Sequence, residues 1–247
     1  MVPDPRTHPE RIRLVLWDID HTLIETRGVG RDIYQRIFPT VTGQPLHTLA
    51  AVHGRTELDI IHDTLQLHGI TPTDETMRAL ATALADGYTA AIDELATRGR
   101  VLPGARAALA DLATEPSVHQ SVLTGNTTAV AKIKIKTFGL GEHLDLLLGA
   151  YGDDHQDRAT LVTIARTRAT NRLGATIDPT QVVIIGDTPN DMRAATMAGA
   201  RAIGITTGRY SAGDLRAAGA TSTLPSLVDL PRLRHAPTDR GTPRQSR

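Results

Sequence analysis

The chain has 247 residues, and its 27 basic and 27 acidic side chains give a formal net charge of zero. A neutral chain lacks the positive field with which proteins attract nucleic acids or anionic membranes. Aromatic residues make up only 3% of the sequence, which argues against a surface that stacks bases. The absence of cysteine excludes disulfides, thiolate metal sites and cysteine nucleophiles.

The amino-terminal stretch MVPDPRTHPERIR carries prolines and charges instead of an apolar segment, so it does not resemble a secretory signal. The longest apolar runs have about four residues, whereas a membrane-spanning helix needs about 20. We therefore expect a cytoplasmic protein that binds neither nucleic acid nor membrane. The sequence offers no basis for assigning an oligomeric state.

The first predicted strand is 14–17, a continuous apolar run typical of a buried parallel strand. Further strands are predicted at 121–123, 146–148, 182–185 and 202–205. Turn residues and helical spacing follow these runs, with helices predicted from after Asn126 to about Phe138 and at 190–197. Strands that alternate with helices indicate an α/β protein with a Rossmann-like parallel sheet.

Residues 26–100 interrupt this alternation and contain no predicted strand. Apolar and small residues at helical spacing predict three or four helices there, at about 29–38, 55–68 and 73–98. The sequence thus predicts an α/β core (12–25 and 101–230) into which a helical segment is inserted after the first strand. Residues 231–247, rich in Arg, Pro, Thr and Ser, predict a disordered tail.

Asp18 and Asp20 directly follow the first predicted strand. Ligands of open parallel sheets bind beyond the carboxyl ends of the strands. If the strand continues, alternation sends both carboxylates the same way, where they repel each other and lose solvation, and a cation would relieve both costs. A simpler interpretation also stands, in which Asp20 or Thr22 caps a helix.

Asp187 and Asp191 follow the predicted strand at 182–185. A helix cap at Asp187 or Thr188, with Pro189 at the first helical position, would need no second carboxylate. Together the two strand ends supply four carboxylates, a hard oxygen site suited to Mg²⁺.

Thr124, Gly125 and Asn126 form a third polar strand end, which begins a predicted helix. Backbone N–H groups at a helix amino terminus attract phosphate. An ordinary helix cap explains these residues equally well.

The order D-x-D-x-T, then Thr at a strand end, then G-D-x-x-x-D resembles the haloacid dehalogenase superfamily of Mg²⁺-dependent phosphohydrolases. The likeness covers 12–25 and 101–230, and the helical segment stands where a cap enters in the branch similar to phosphoglycolate phosphatase and β-phosphoglucomutase. The resemblance implies hydrolysis of a phosphate monoester of a small metabolite, with Mg²⁺ as cofactor.

The resemblance also implies residue roles. Asp18 would be the nucleophile that becomes an aspartyl phosphate, and Asp20 would act first as general acid and then as general base. The metal ligands would be Asp18, the Asp20 backbone carbonyl and Asp187, with Asp191 in support directly or through water. Phosphate oxygens would be bound by the segment Thr124, Gly125 and Asn126.

One departure from the family pattern concerns the usual lysine between the second and last motifs. No lysine occurs between Lys136 and Asp187, so we assign its role to Arg158, whose forked guanidinium suits phosphate. Three lysines on the preceding amphipathic helix are expected to be solvated: Lys132, Lys134 and Lys136. His21 stands where many relatives carry glycine, and its role stays open.

In the inserted segment, Arg55 is the candidate for binding a substrate anion, because it follows Gly54 at a predicted helix start. An exposed arginine at a helix end is the alternative. Residues 26–100 contain no lysine, which disfavours a Schiff-base phosphonate hydrolase, and Asp20 disfavours a dehalogenase. A phosphomutase, or a binding or regulatory protein with little turnover, remains as an alternative.

Overall fold

The computed structural model describes residues 13–230, so the predicted tail at 231–247 lies outside the described residues. Within this part, the strands follow in chain order as β1 (Arg13–Trp17), β2 (Ile24–Glu25), β3 (Arg100–Val101), β4 (Val118–Val122), β5 (Val182–Gly186), β6 (Arg201–Ile205) and β7 (Ser222–Leu224). The helices are α1 (Val29–Thr42), α2 (Glu57–Leu67), α3 (Asp74–Ala90), α4 (Ile92–Arg98), α5 (Ala105–Ala113), α6 (Thr128–Thr137), α7 (Arg158–Leu173), α8 (Pro189–Met197) and α9 (Ala212–Ala217). Short 3₁₀ turns occupy Gly141–His143, Pro179–Gln181 and Leu227–Asp229.

The main sheet has five strands in the order β4-β1-β5-β6-β7, and every neighbouring pair is parallel. β1 is an interior strand, and its apolar residues are buried on both faces. Val15 and Trp17 join a hydrophobic cluster that includes residues of α5 and α6, whereas Leu14 and Leu16 join a second cluster with α7 and α8. Alternate side chains of a strand point to opposite faces, so the helices cover the sheet on two sides. The predicted α/β fold is confirmed.

The inserted segment contains α1 to α4, as expected, with two differences in detail. The third predicted helix breaks at Ala91, whose N–H is shared between Gly87 O and Tyr88 O. The first helix continues through Pro39 to a left-handed Gly43 instead of ending at 38. At the ends of the segment, β2 and β3 pair as a two-residue antiparallel ladder, a contact too short to leave a strand pattern in the sequence.

The predicted strand at 146–148 is wrong. Leu147 is exposed, and its N–H donates to the Asp145 side chain, while Leu148 N–H closes a turn on Asp145 O. The chain then meets β4 through a single parallel bridge between Leu123 and Ala150. Three consecutive leucines therefore form a turn, because local side-chain capping competes with strand pairing. No helix within residues 13–230 is both long and apolar enough to cross a membrane.

Candidate active site

The carboxyl ends of β1 and β5 lie side by side, and Asp18 N–H donates to Ile185 O across them at 2.9 Å. β1 ends at Trp17, and the chain turns back so that Asp20 bridges to Ile24. Continued strand alternation would send the carboxylates of Asp18 and Asp20 to the same neighbours. Because the strand ends before Asp18, the two carboxylates contact different residues instead. Each enters a different group of charges.

Asp18 joins a buried acidic cluster with Asp187 and Asp191. One carboxylate oxygen from each residue lies within 4.8 Å of the other two. Asp187 follows β5, and Asp191 stands in the first turn of α8, where its Oδ2 accepts hydrogen bonds from the N–H and hydroxyl of Thr188 at 3.1 and 2.6 Å. Gly186 permits this approach, since a β-carbon there would lie 2.4 Å from the Asp191 carboxyl carbon.

Arg158 is the one cation that reaches this cluster among the described residues. Its Nη2 lies 2.8 Å from Asp18 Oδ1 and 2.5 Å from Asp191 Oδ1, and the side chain is buried. Asp157 caps the amino terminus of α7 by accepting from the N–H groups of Ala159 and Thr160, and so fixes where Arg158 begins the helix. The position assigned from the sequence is thus in contact with Asp18.

The cluster carries more negative charge than its surroundings balance. Burial and the neighbouring carboxylates raise the pKa of Asp18 to about 7, although Arg158 opposes the rise. Burial and the carboxylates of Asp18 and Asp191 raise the pKa of Asp187 to about 9. In the described part of the chain, both carboxylate oxygens of Asp187 are buried without a hydrogen-bond partner. Three carboxylates against one guanidinium leave an excess of two negative charges when all are ionised, so this donor set fits a divalent cation.

The carboxylate of Asp20 contacts a separate, polar group. Lys134 Nζ lies 2.8 and 2.7 Å from its two oxygens, and Asn126 Nδ2 donates to Oδ2 at 2.7 Å. Lys134 also donates to Asn126 Oδ1 at 2.7 Å, which closes a three-residue ring of hydrogen bonds. Burial raises the pKa of Asp20, but the charge and hydrogen bonds of Lys134 and the Asn126 amide outweigh it, so the net shift is downward.

The expectation that Lys134 is solvated is therefore wrong. Its side chain is buried, whereas Lys132 and Lys136 on the same helix are exposed as expected. Lys134 shares the buried face of α6 with Val130 and Ala131, one turn earlier. The sequence signal for this contact is the position of Lys134 on the apolar face of the helix. A lysine buried there needs a partner of opposite charge, which points to a carboxylate nearby.

Thr124 and Asn126 meet at the third strand end. The buried Thr124 hydroxyl accepts from the Asn126 backbone N–H at 3.2 Å and from its Nδ2 at 2.8 Å. A β-carbon on Gly125 would lie 1.9 Å from the Arg55 carbonyl oxygen, so only glycine fits where the inserted segment crosses this loop. Glu57 N–H donates to Gly125 O at 2.7 Å and fastens the crossing.

The guanidinium of Arg55 pairs with two carboxylates of α2. Its Nε lies 2.6 Å from Asp59 Oδ2, and its Nη2 lies 2.7 Å from Asp63 Oδ2. The cation is therefore already neutralised by the helix that follows it. Binding of a substrate anion by Arg55 stays a prediction, and none of these contacts supports it.

His21 adopts a left-handed backbone conformation with φ of 61°. A positive φ is uncommon for residues other than glycine, although histidine, asparagine and aspartate adopt it more often than the rest. The ring centre of His21 lies 5.7 Å from that of His53 in the inserted segment. Both imidazoles line the cavity described next.

A cavity of about 250 Å³ lies between the strand ends and the inserted helices. Its lining includes Asp18, Asp20 and Lys134 from the α/β part, and Tyr34, Glu57 and Tyr88 from the inserted helices. The Tyr34 hydroxyl donates a short hydrogen bond to Glu57 Oε1, and Lys134 Nζ lies 5.1 Å from the centre of the Tyr88 ring. Sequence reasoning missed Tyr34, Glu57 and Tyr88, because helix packing across the insert brings them together without a local motif.

The fold and the site define an α/β protein with a buried cluster of carboxylates, suited to a divalent cation, at the carboxyl edge of a parallel sheet. A model of the haloacid dehalogenase-like hydrolase family matches residues 15–196, most of the chain, and the chain belongs to this family of enzymes. Members of the family generally use a divalent metal ion. The family expected from the sequence is thus confirmed.

Relatives agree with this assignment. The probable phosphatase IndB of Dickeya dadantii (strain 3937) is 28% identical over 212 residues, which cover 83% of this chain and 86% of that protein. A hydrolase from Pseudomonas syringae has the same fold with a TM-score of 0.66 and 22% identity, covering 90% of this chain and 97% of the other. A predicted phosphoglycolate phosphatase from Haemophilus somnus 129pt gives a TM-score of 0.64 and 15% identity, over 90% and 98% of the two chains.

Proposed function

We propose that the protein is a Mg²⁺-dependent phosphatase that hydrolyses a small phosphate monoester through an aspartyl phosphate on Asp18. The observation that carries the proposal is the buried cluster of Asp18, Asp187 and Asp191, in which both oxygens of Asp187 lack a hydrogen-bond partner within residues 13–230. Family membership and the similarity to a phosphatase support the same conclusion.

In the first step, an Asp18 oxygen attacks phosphorus while the bond from phosphorus to the ester oxygen breaks. The departing alcohol takes a proton from Asp20, which must therefore be protonated at this stage. In the second step, Asp20 removes a proton from water, the water oxygen bonds to phosphorus and the bond to Asp18 breaks. The two steps release the alcohol and then inorganic phosphate, and they restore both carboxyl groups.

Lys134 and Asn126 act as positioning residues for Asp20. Three hydrogen bonds of 2.7 to 2.8 Å hold its two carboxylate oxygens, so the carboxyl group has one orientation toward the leaving oxygen. The ammonium of Lys134 also favours the ionised Asp20 that the second step requires.

Arg158 orients the nucleophile, because its Nη2 contacts Asp18 Oδ1 at 2.8 Å. The N–H groups of the loop from Thr124 to Asn126, together with Arg158, would bind phosphoryl oxygens. The side-chain nitrogen of Asn126 already donates hydrogen bonds to Asp20 and Thr124, so Asn126 would bind phosphate through its backbone N–H. Mg²⁺, held by Asp18, Asp187, Asp191 and the Asp20 carbonyl oxygen, would neutralise charge on the transferred group.

We further propose the domain division 12–25 and 101–230 as the catalytic core and 26–100 as a cap. Hydrogen bonds fasten the two where they meet, from Glu57 N–H to Gly125 O at 2.7 Å and from Asn190 Nδ2 to Gly54 O at 2.8 Å. A cap in this position excludes water from the reacting groups. A cavity of about 250 Å³ limits the leaving group to a small alcohol, so the partner is a small phosphorylated metabolite.

Phosphate release from a panel of small phosphate monoesters tests the proposal, with Mg²⁺ and with EDTA. We expect release by the wild type with Mg²⁺ alone, and loss of at least about 1,000-fold in Asp18→Asn. Asp86→Asn, the same change on the exposed side of α3, is the matched control and should stay active. Release by Asp18→Asn at the wild-type rate would overturn the mechanism. Transfer of phosphate between sugar positions, in place of release, would favour a phosphomutase.

A further inference from the structure

Glu57 presents a buried carboxyl group that the proposed reaction does not use. It stands in the first turn of α2 and is only 8% exposed. Tyr34 donates to Oε1, whereas Oε2 has no hydrogen-bond partner among residues 13–230. Because Glu57 lines the cavity, this oxygen is available to a molecule bound there.

The backbone fixes Glu57 close to the reacting groups. Its N–H donates at 2.7 Å to the carbonyl oxygen of Gly125, which is part of the proposed phosphate-binding loop. The charge of Lys134, which also holds both Asp20 oxygens, acts on the Glu57 carboxyl group. Glu57 therefore lies on the side of the cavity where Asp20 would protonate the leaving alcohol.

A purely structural role explains the Glu57 side chain poorly. Burying a carboxyl group costs desolvation free energy that an apolar contact between α1 and α2 would avoid. The Tyr34 hydroxyl needs one acceptor, yet Glu57 supplies two oxygens. The remaining oxygen is suited to accept a hydrogen bond from a ligand.

We infer that Glu57 determines specificity by accepting a hydrogen bond from a hydroxyl or ammonium group on the alcohol part of the substrate. The inference rests on the proposed phosphatase function and adds the chemistry of its leaving group. Lys134 Nζ pairs directly with Asp20 alone, so the carboxyl group of Glu57, which lines the same cavity, leaves an excess of acceptors on this wall. The apolar side chains of Leu49, Val52 and Ile60 line the rest of the insert side and limit the size of the group.

Three substrates of matched size test the inference: ethyl phosphate, hydroxyethyl phosphate and aminoethyl phosphate. Steady-state kcat and KM are measured for the wild type, Glu57→Gln and Glu57→Leu. We expect the wild type to prefer at least one donor-bearing substrate over ethyl phosphate by about 10-fold or more in kcat/KM, the usual worth of a buried hydrogen bond to a charged group.

The variants separate the two kinds of donor. Glutamine keeps a neutral acceptor, so Glu57→Gln should abolish a preference for aminoethyl phosphate, mainly through KM, but retain one for hydroxyethyl phosphate. Glu57→Leu should abolish both preferences. Turnover of ethyl phosphate within about two-fold of the wild type shows in each variant that the catalytic groups are intact.

Two results would overturn the inference while leaving the proposed function in place. One is a wild type that hydrolyses all three esters with equal kcat/KM. The other is an equal loss on all three esters in Glu57→Gln, since that is the behaviour of a structural residue. Absence of phosphate release from every ester by the wild type would instead refute the proposed function, and the inference with it.

Discussion

Replacing Lys134 with methionine removes the cation that holds Asp20 but keeps a long apolar side chain. In the structure, Lys134 Nζ donates to both Asp20 oxygens and to Asn126 Oδ1, all between 2.7 and 2.8 Å. The variant would leave the Asp20 carboxyl group free to rotate and without its counter-ion. If Lys134 positions the general acid, the damage depends on how much the leaving group needs a proton.

The magnitude follows from burial. Removing one partner of a fully buried ion pair costs about 3–5 kcal/mol. The Asp20 side chain is 32% exposed, so solvent screens part of this loss and we expect about 1–2 kcal/mol in the free energy of unfolding. A positioned general acid contributes about 100-fold or more to the rate, so alkyl phosphates should lose about 100-fold in kcat. Nitrophenolate departs without a proton, so its release in the first turnover of p-nitrophenyl phosphate, before the intermediate is hydrolysed, should slow by less than about five-fold.

Urea denaturation measures the first effect in Lys134→Met, and steady-state turnover of ethyl phosphate together with first-turnover release of nitrophenolate from p-nitrophenyl phosphate measures the second. Lys132→Met is the matched control, since Lys132 lies on the same helix but is exposed, and both of its readouts should equal those of the wild type. First-turnover release of nitrophenolate that slows by the same factor as turnover of ethyl phosphate would refute the assignment, because the lysine would then act on the attack by Asp18 and not on proton transfer from Asp20.

Two further predictions concern the acidic cluster and the crossing loop. In the folded protein, the pKa values of Asp18 and Asp187 are about 7 and about 9, above the unfolded value of about 3.9. Between these pH values the folded protein without metal binds more protons than the unfolded chain. Its free energy of unfolding should therefore fall as the pH rises from about 4 to about 9. In EDTA we expect the Tm to drop by roughly 5 °C or more between pH 6 and 9, and Mg²⁺ to reduce the drop; a Tm in EDTA that does not fall would contradict this. Gly125→Ala places a β-carbon 1.9 Å from Arg55 O, so calorimetry should show a lower Tm and phosphate release should fall sharply, and an unchanged Tm with full activity would show that the crossing is not tight.

The sheet and the acidic cluster were predictable because their sequence signals are local. Continuous apolar runs mark β1 and β5, and the rule that parallel strands end at one edge brings Asp18 near Asp187. The apolar-run signal gives a wrong strand at 146–148, where the run is equally apolar but Asp145 caps a turn. Apolar composition alone does not distinguish a strand from a capped turn.

The part of the site that faces the leaving group was not predictable from local patterns. Tyr34 and Glu57 are 23 residues apart and meet only because α1 and α2 pack together. Lys134 was assigned to solvent, although its helical position belongs to an apolar face. Asp20 departs from Asp18 because the strand ends at Trp17 and the chain turns through the left-handed His21, which a D-x-D pattern does not encode.

The proposed nucleophile can be tested by trapping the phosphorylated protein. Asp20→Asn is mixed with p-nitrophenyl phosphate and Mg²⁺, quenched in acid, and digested for peptide mass spectrometry. Without Asp20 to activate water, hydrolysis of the intermediate should be slow, whereas nitrophenolate still departs without an acid. We predict one phosphoryl group on Asp18, absent when Asp18→Asn is added to the same variant. Release of nitrophenolate with no phosphoryl group on Asp18 would contradict the account.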